Sequence, residues 1–143
     1  YLAQRDIVEK RYAEAEKRYQ VALQRDPNNA LVLNNLAWIS NELKQPKARE
    51  YAERANELAP DTPQIMDTLG SILAESGERE RGLQLLGRAA ELAPQAYPIR
   101  LNFAKALVKA GRKDAARKEL ETLAKLDRKL PVQQEAAALL SGL

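Results

Sequence analysis

The 143-residue chain contains no cysteine and no histidine. Their absence removes disulfides, thiolate nucleophiles, Cys/His zinc sites and imidazole acid–base chemistry together. Aromatic residues make up only 5% of the sequence, so close packing must rest on alanine and leucine. No apolar run approaches the roughly 20 residues that a membrane-spanning helix needs. Charge of one sign is scarce too: 23 Lys and Arg against 20 Asp and Glu leave a net +3. The basic residues are interleaved with glutamate, whereas nucleic-acid binding needs a concentrated basic face. Solvated helix faces with i,i+4 pairs such as Glu14–Arg18 explain that pattern. The chain begins at Tyr1 without methionine. The expectation is therefore a fragment of a longer protein, in which a missing targeting signal assigns no compartment.

What the chain does have is periodicity. Between Asp61 and Pro94, Ile65, Leu69, Ile72 and Leu73 recur at three- and four-residue steps, as do Leu83, Leu86, Ala89 and Ala90. Such spacing places one apolar stripe on each of two helices. Gly77 can stop the first helix in a left-handed conformation, and Pro94 cannot continue the second. The hairpin then repeats, with 33 residues from Pro27 to Pro60 and 34 from Pro60 to Pro94. On that period Leu36-Ala37, Leu69-Gly70 and Phe103-Ala104 share a column, and Ala15, Ala48, Gly82 and Ala116 share another. Small residues at fixed offsets mark places where two helices approach closely.

A helix–turn–helix period near 34 with these columns and a closing proline resembles the tetratricopeptide repeat (TPR). Leu69-Gly70, the close Ala89-Ala90-Glu91-Leu92-Ala93-Pro94 and the link Asp26-Pro27-Asn28-Asn29 match the family's pattern. Arg25 in place of a usual leucine and Arg128 in place of a fourth closing proline depart from it. The resemblance implies an all-α, right-handed solenoid of helix-turn-helix repeats, of about nine helices. The expected division is a truncated repeat 1 at 1–27, repeats at 28–60, 61–94 and 95–128, and a capping helix at 131–141. In repeat 1, residues 1–9 with Leu2 and Ile7 read as the back half of a leading helix. Residues 12–25, with Tyr12, Ala15, Tyr19, Ala22 and Leu23 buried, read as its partner. Val132, Ala136, Leu139 and Leu140 are expected to cover repeat 4, as a stack's terminal face requires. The array is thus expected to be cut at its start and to close naturally at its end.

Catalysis finds little to work with. The serines are Ser40, Ser71, Ser76 and Ser141, and without histidine none has an evident activating base. A Ser71–Lys105 dyad is outweighed by the frequency of exposed polar pairs on helices. Glu75, Glu78 and Glu80 crowd a surface turn and do not face each other across a cleft. No phosphate-cradling glycine loop follows a strand. No catalytic residue, metal ligand or cofactor is expected.

The candidate site is instead a groove. In the family, repeat positions 2, 5, 9 and 12 of each leading helix face a concave surface. They correspond here to Leu31, Asn34, Trp38 and Asn41; to Gln64, Asp67, Ser71 and Ala74; and to Pro98, Leu101, Lys105 and Val108. Each set forms one helical stripe of mixed polarity, normal for recognition and poor for a core. Trp38 either presents its indole to the groove as an anchor or packs on the neighbouring repeat. Asn35 and Asn102 hold position 6, where some relatives bind a ligand's backbone; the alternative is hydrogen bonding to adjacent turns, since Thr68 interrupts the ladder. Binding of a terminal carboxylate, which in chaperone-tail binders uses lysine and asparagine at positions 5 and 9, is disfavoured. Those places hold Asn34/Trp38 and Asp67/Ser71, and Asp67 would repel the ligand.

The expected partner is a protein or peptide segment, with no nucleic acid. The alternative is a spacer or self-associating module. A narrower likeness involves Leu33-Asn34-Asn35-Leu36-Ala37-Trp38, Tyr51-Ala52-Glu53-Arg54-Ala55, Asp67-Thr68-Leu69-Gly70, Gly82-Leu83-Gln84-Leu85-Leu86 and the stretch 115–120. These strings are similar to the C-terminal repeats of bacterial TPR proteins of the PEP-CTERM/exosortase sorting system. That likeness implies an envelope-associated role in exopolysaccharide export or protein sorting; the residues themselves leave the cytoplasm equally open.

Overall fold

A computed structural model describes the backbone of residues 2–143 and the side chains from residue 8 onward. Eight helices follow in order: α1 (Leu2–Arg25), α2 (Ala30–Glu42), α3 (Ala48–Leu58), α4 (Pro63–Glu75), α5 (Arg79–Leu92), α6 (Tyr97–Lys109), α7 (Lys113–Ala124) and α8 (Pro131–Ser141). No strand occurs among the described residues. The pairs α2/α3, α4/α5 and α6/α7 are helix-turn-helix units. The leading helices also meet one another, α2 on α4, α4 on α6 and α6 on α8, and so form one continuous face of the solenoid.

Eight helices stand where about nine were expected, because residues 2–25 form one uninterrupted helix. The reason is local. Lys10-Arg11, where the turn was expected, offers neither a proline nor a glycine. The real turns use Lys44 (φ 57°), Gly77 (φ 94°) and Gly111 (φ 75°). The inward orientation expected of Leu2 and Ile7 lies outside the described side chains.

Helix starts follow from capping chemistry. Asn29 is the N-cap of α2, its side-chain oxygen accepting from the Val32 N–H at 3.1 Å. Asn28 instead accepts a bond from Arg54. Thr62 is the N-cap residue of α4, but its hydroxyl makes no capping bond. Pro63, Pro98 and Pro131 occupy the first or second position of their helices, where a missing N–H matters least.

Leu33, Leu36, Leu69, Leu73, Leu86, Leu120 and Leu123 are sealed from solvent, each contributing about 1.5–3 kcal/mol by burial. The alanine and glycine columns permit this packing. A Cβ on Gly82 would lie 2.6 Å from both the Ala74 nitrogen and the Gly70 carbonyl oxygen, so α4 and α5 cross with their backbones nearly touching. At the C-terminal side, Ala136 of α8 is fully buried against Leu101, Leu120 and Leu123, with Val132, Leu139 and Leu140 packed around it. Gln133 donates to the Ala124 carbonyl at 2.9 Å and thereby satisfies an orphan acceptor at the end of α7.

Several ion pairs cross between helices. Arg81 on α5 forks onto Glu53 on α3 at 2.8 and 3.0 Å, Arg49 meets Glu78, and Arg112 meets Glu80. α1 is tied in by Glu16, which accepts from Ser40 at 3.3 Å and lies 3.8 Å from Lys47.

Candidate functional site

Two recesses open along the leading helices, the first between α1, α2 and α4 and the second between α4, α5 and α6. The first, of about 300 Å³, is lined by Tyr19, Asn34, Asn35, Trp38, Ile39, Gln64, Asp67 and Thr68. The second, of about 340 Å³, is lined by Ser71, Ala74, Glu75, Arg79, Leu86, Asn102, Lys105, Ala106 and Lys109. Between them runs a strut from α6 to α4: the Asn102 side-chain amide donates to both Asp67 oxygens, at 3.2 and 3.3 Å.

Trp38 occurs on the outer side of α2 because Leu33, Leu36, Ala37 and Ser40 take the inner side. Its indole is 47% exposed and meets the Tyr12 ring edge-on at 5.6 Å. The half-exposed ring thus packs in part on α1 and leaves the rest of its surface open at the first recess. Tyr12 and Tyr19, expected in a buried stripe, are only half-buried; Tyr19 lines the first recess and Tyr12 touches the Trp38 ring.

Asn34 is the more telling residue. It is 7% exposed, yet its side-chain oxygen has no hydrogen-bond donor. Buried acceptors are normally satisfied. Beside it, burial pushes the Asp67 carboxyl up to about 6, with the Asn102 hydrogen bond pulling the other way. Desolvation outweighs the bond because one neutral amide replaces only part of a carboxylate's hydration. The Thr68 hydroxyl is already engaged, donating to the Gln64 carbonyl at 3.0 Å.

The expected site residues divide among several places. Asn34, Asn35, Trp38, Gln64 and Asp67 share the first recess, and Ser71, Asn102 and Lys105 share the second. Lys105 is also paired with Glu135 of α8 at 2.5 Å. Asn102 bonds across to the neighbouring leading helix α4, which differs from the adjacent-turn bonding considered for it. Leu31 is 66% exposed at the start of α2, outside both recesses. Asn41 lines a separate hollow beside the α2–α3 turn. Leu101 needs correction: it is 4% exposed within the α6–α7–α8 core, because α8 lies across that face. Among the described residues no cluster of acidic side chains is arranged to hold a metal ion, and no helix is long and apolar enough to cross a membrane.

Two tetratricopeptide-repeat family models match the sequence, over residues 73–143 and 19–50. The chain belongs to the tetratricopeptide-repeat family. A TPR repeat-containing protein of Pseudomonas aeruginosa, PA4667, is 32% identical over 92 residues, covering 62% of this chain and 16% of that protein. Among solved structures, a mutant Thermobaculum terrenum O-GlcNAc transferase superposes with a TM-score of 0.74 and 26% identity, over 80% of this chain and 22% of the transferase. YrrB, described as a TPR protein with an unusual peptide-binding site, gives 0.72 at 22% identity, over 92% and 69% of the two chains. MamA gives 0.71 at 17% identity, over 99% and 91%. The chain thus spans less than a quarter of the Pseudomonas protein and of the transferase, and its likeness to YrrB and MamA concerns the fold. That fold is an all-α TPR solenoid, a general scaffold for protein binding.

Proposed function

We propose that the chain is a non-catalytic interaction module whose groove receives an extended or helical segment of a partner protein. The observation that carries this reading is the pairing, in one recess, of a half-exposed Trp38 with the buried, unpartnered Asn34 oxygen. Tryptophan in such a setting is a frequent hot spot, and an unpaired acceptor gains a bond when a ligand supplies a donor. The helices that line the groove are packed in place beforehand, so ordering falls mainly on the ligand. Lys109 and Arg79 in the second recess, where Lys105 is paired with Glu135 and Glu75 also lines the wall, suit an acidic group on the same segment. As the sole tryptophan, Trp38 reports directly: its emission shifts to the blue on partner binding, and Trp38→Ala abolishes capture. Capture by Trp38→Ala at parental strength would refute the anchor.

Leu31 at 66% and Val21 at 50% exposure favour a second reading, self-association through outward apolar side chains. Light scattering across concentration separates the two, since self-association proceeds without peptide. A narrower role in PEP-CTERM protein sorting and exopolysaccharide export is supported by the sequence strings noted above. Normal exopolysaccharide secretion in a deletion strain would remove it.

A further inference from the structure

We propose that the segment held in the groove carries an arginine or lysine, whose head group seats on the Asp67 carboxylate and the Asn34 side-chain oxygen beneath the Trp38 ring. This rests on the groove reading above and adds the chemistry of what the first recess takes. Among the described residues, the recess is rich in acceptors and holds no cation. Asp67 accepts, among the described residues, only from the Asn102 amide, whereas a carboxylate offers about four lone-pair sites. The Asn34 oxygen, on a residue 7% exposed, accepts from nothing. None of the lining residues is Lys or Arg. An arriving guanidinium or ammonium brings donors without acceptors, matching both deficits.

The walls suit the same group. Tyr12 braces the Trp38 indole edge-on and helps to hold the ring at the mouth of the recess, where its face can cover a cation. A volume of about 300 Å³ leaves room for a long basic side chain. A carboxylate placed there would meet Asp67 with like charge, and an apolar group would leave the Asn34 oxygen unpaired and Asp67 with the Asn102 amide alone. Burial now holds Asp67 closer to its protonated form than a surface aspartate; a cation beside it would restore the ionised form.

The test is a selection from a displayed library of random peptides on the immobilised protein, followed by isothermal titration of the enriched sequences. Enriched peptides should contain Arg or Lys. Replacing that arginine by citrulline, or that lysine by norleucine, should weaken binding by about tenfold or more, as should Asp67→Asn in the protein. Circular dichroism confirms that the variant stays helical. Peptides that need Trp38 but lack a basic residue, or ignore Asp67→Asn, would overturn the cation seat and leave the groove reading standing. If nothing is enriched, or if the enriched peptides bind Trp38→Ala equally well, both fall.

Discussion

Replacing Asp67 by asparagine should stabilise this protein, and only above a certain pH. The carboxyl is lifted from 3.8 to about 6, chiefly because it is buried. At about 1.36 kcal/mol per pKa unit, that shift corresponds to about 3 kcal/mol. The folded state binds this proton more tightly than the unfolded state, so stability falls as pH rises from about 4 to about 6 and stays low above that. Asparagine keeps the shape, can still accept from Asn102 and does not titrate. The variant should therefore exceed the parent by up to about 3 kcal/mol near pH 7.5 and converge with it near pH 4.

The side chains around Asp67 come from α1 (Tyr19), α2 (Asn34, Asn35), α4 (Gln64, Thr68) and α6 (Asn102), and none is a carboxylate or a base. The absence of histidine removes imidazole titration from that range, and the other carboxyl groups, common to both proteins, cancel in the difference. Urea unfolding followed by far-ultraviolet circular dichroism, repeated across that range, measures the difference. No gain at neutral pH, or an equal gain at both ends, would refute the reasoning, the second outcome pointing to packing instead of ionisation.

Gly82→Ala forces a methyl onto the Ala74 and Gly70 backbones and should cost more than about 2 kcal/mol in urea unfolding. Gly77→Ala meets no atom within 4 Å, so only its positive φ is penalised, by about 1 kcal/mol. Lys44 adopts φ 57° without being glycine; Lys44→Gly should raise the unfolding free energy by about 0.5–1 kcal/mol. Ala136→Asp places a charge where α8 is sealed against α6 and α7 and should lower stability by about 3 kcal/mol or more, seen as a depressed thermal midpoint.

The fold was legible because its signals repeat. Columns such as Leu36, Leu69 and Ala48, Gly82 report the same packing demand several times, and each reappears in the core. The first segment was misread because the period was extended across Lys10-Arg11, which lacks the breaker present at the other turns. In the groove, the family resemblance supplied the repeat positions that name Asn34, Trp38 and Asp67, and the three- and four-residue step only showed that each set shares one helical stripe. That step says nothing of what lies on top, so Leu101 was assigned to a surface that α8 covers. Nor can spacing show that Asn102 is committed to Asp67, or that Tyr12 braces Trp38, because both contacts join distant parts of the chain. The ion pairs teach the same lesson. An i,i+4 rule looks along one helix, whereas Arg81–Glu53 and Arg112–Glu80 reach across to another.

The near-contact of backbones at Gly70 and Gly82 bears on how the chain acquires its shape. Helices that touch mainly their sequence neighbours fold by local encounters, and a stack of this type can grow outward from whichever pair forms first. The α4/α5 hairpin, with its glycine crossing and short turn, is the natural seed. Assembly should spread from it in both directions and come undone in reverse, so that limited proteolysis erodes the flanking helices while the middle of the array survives.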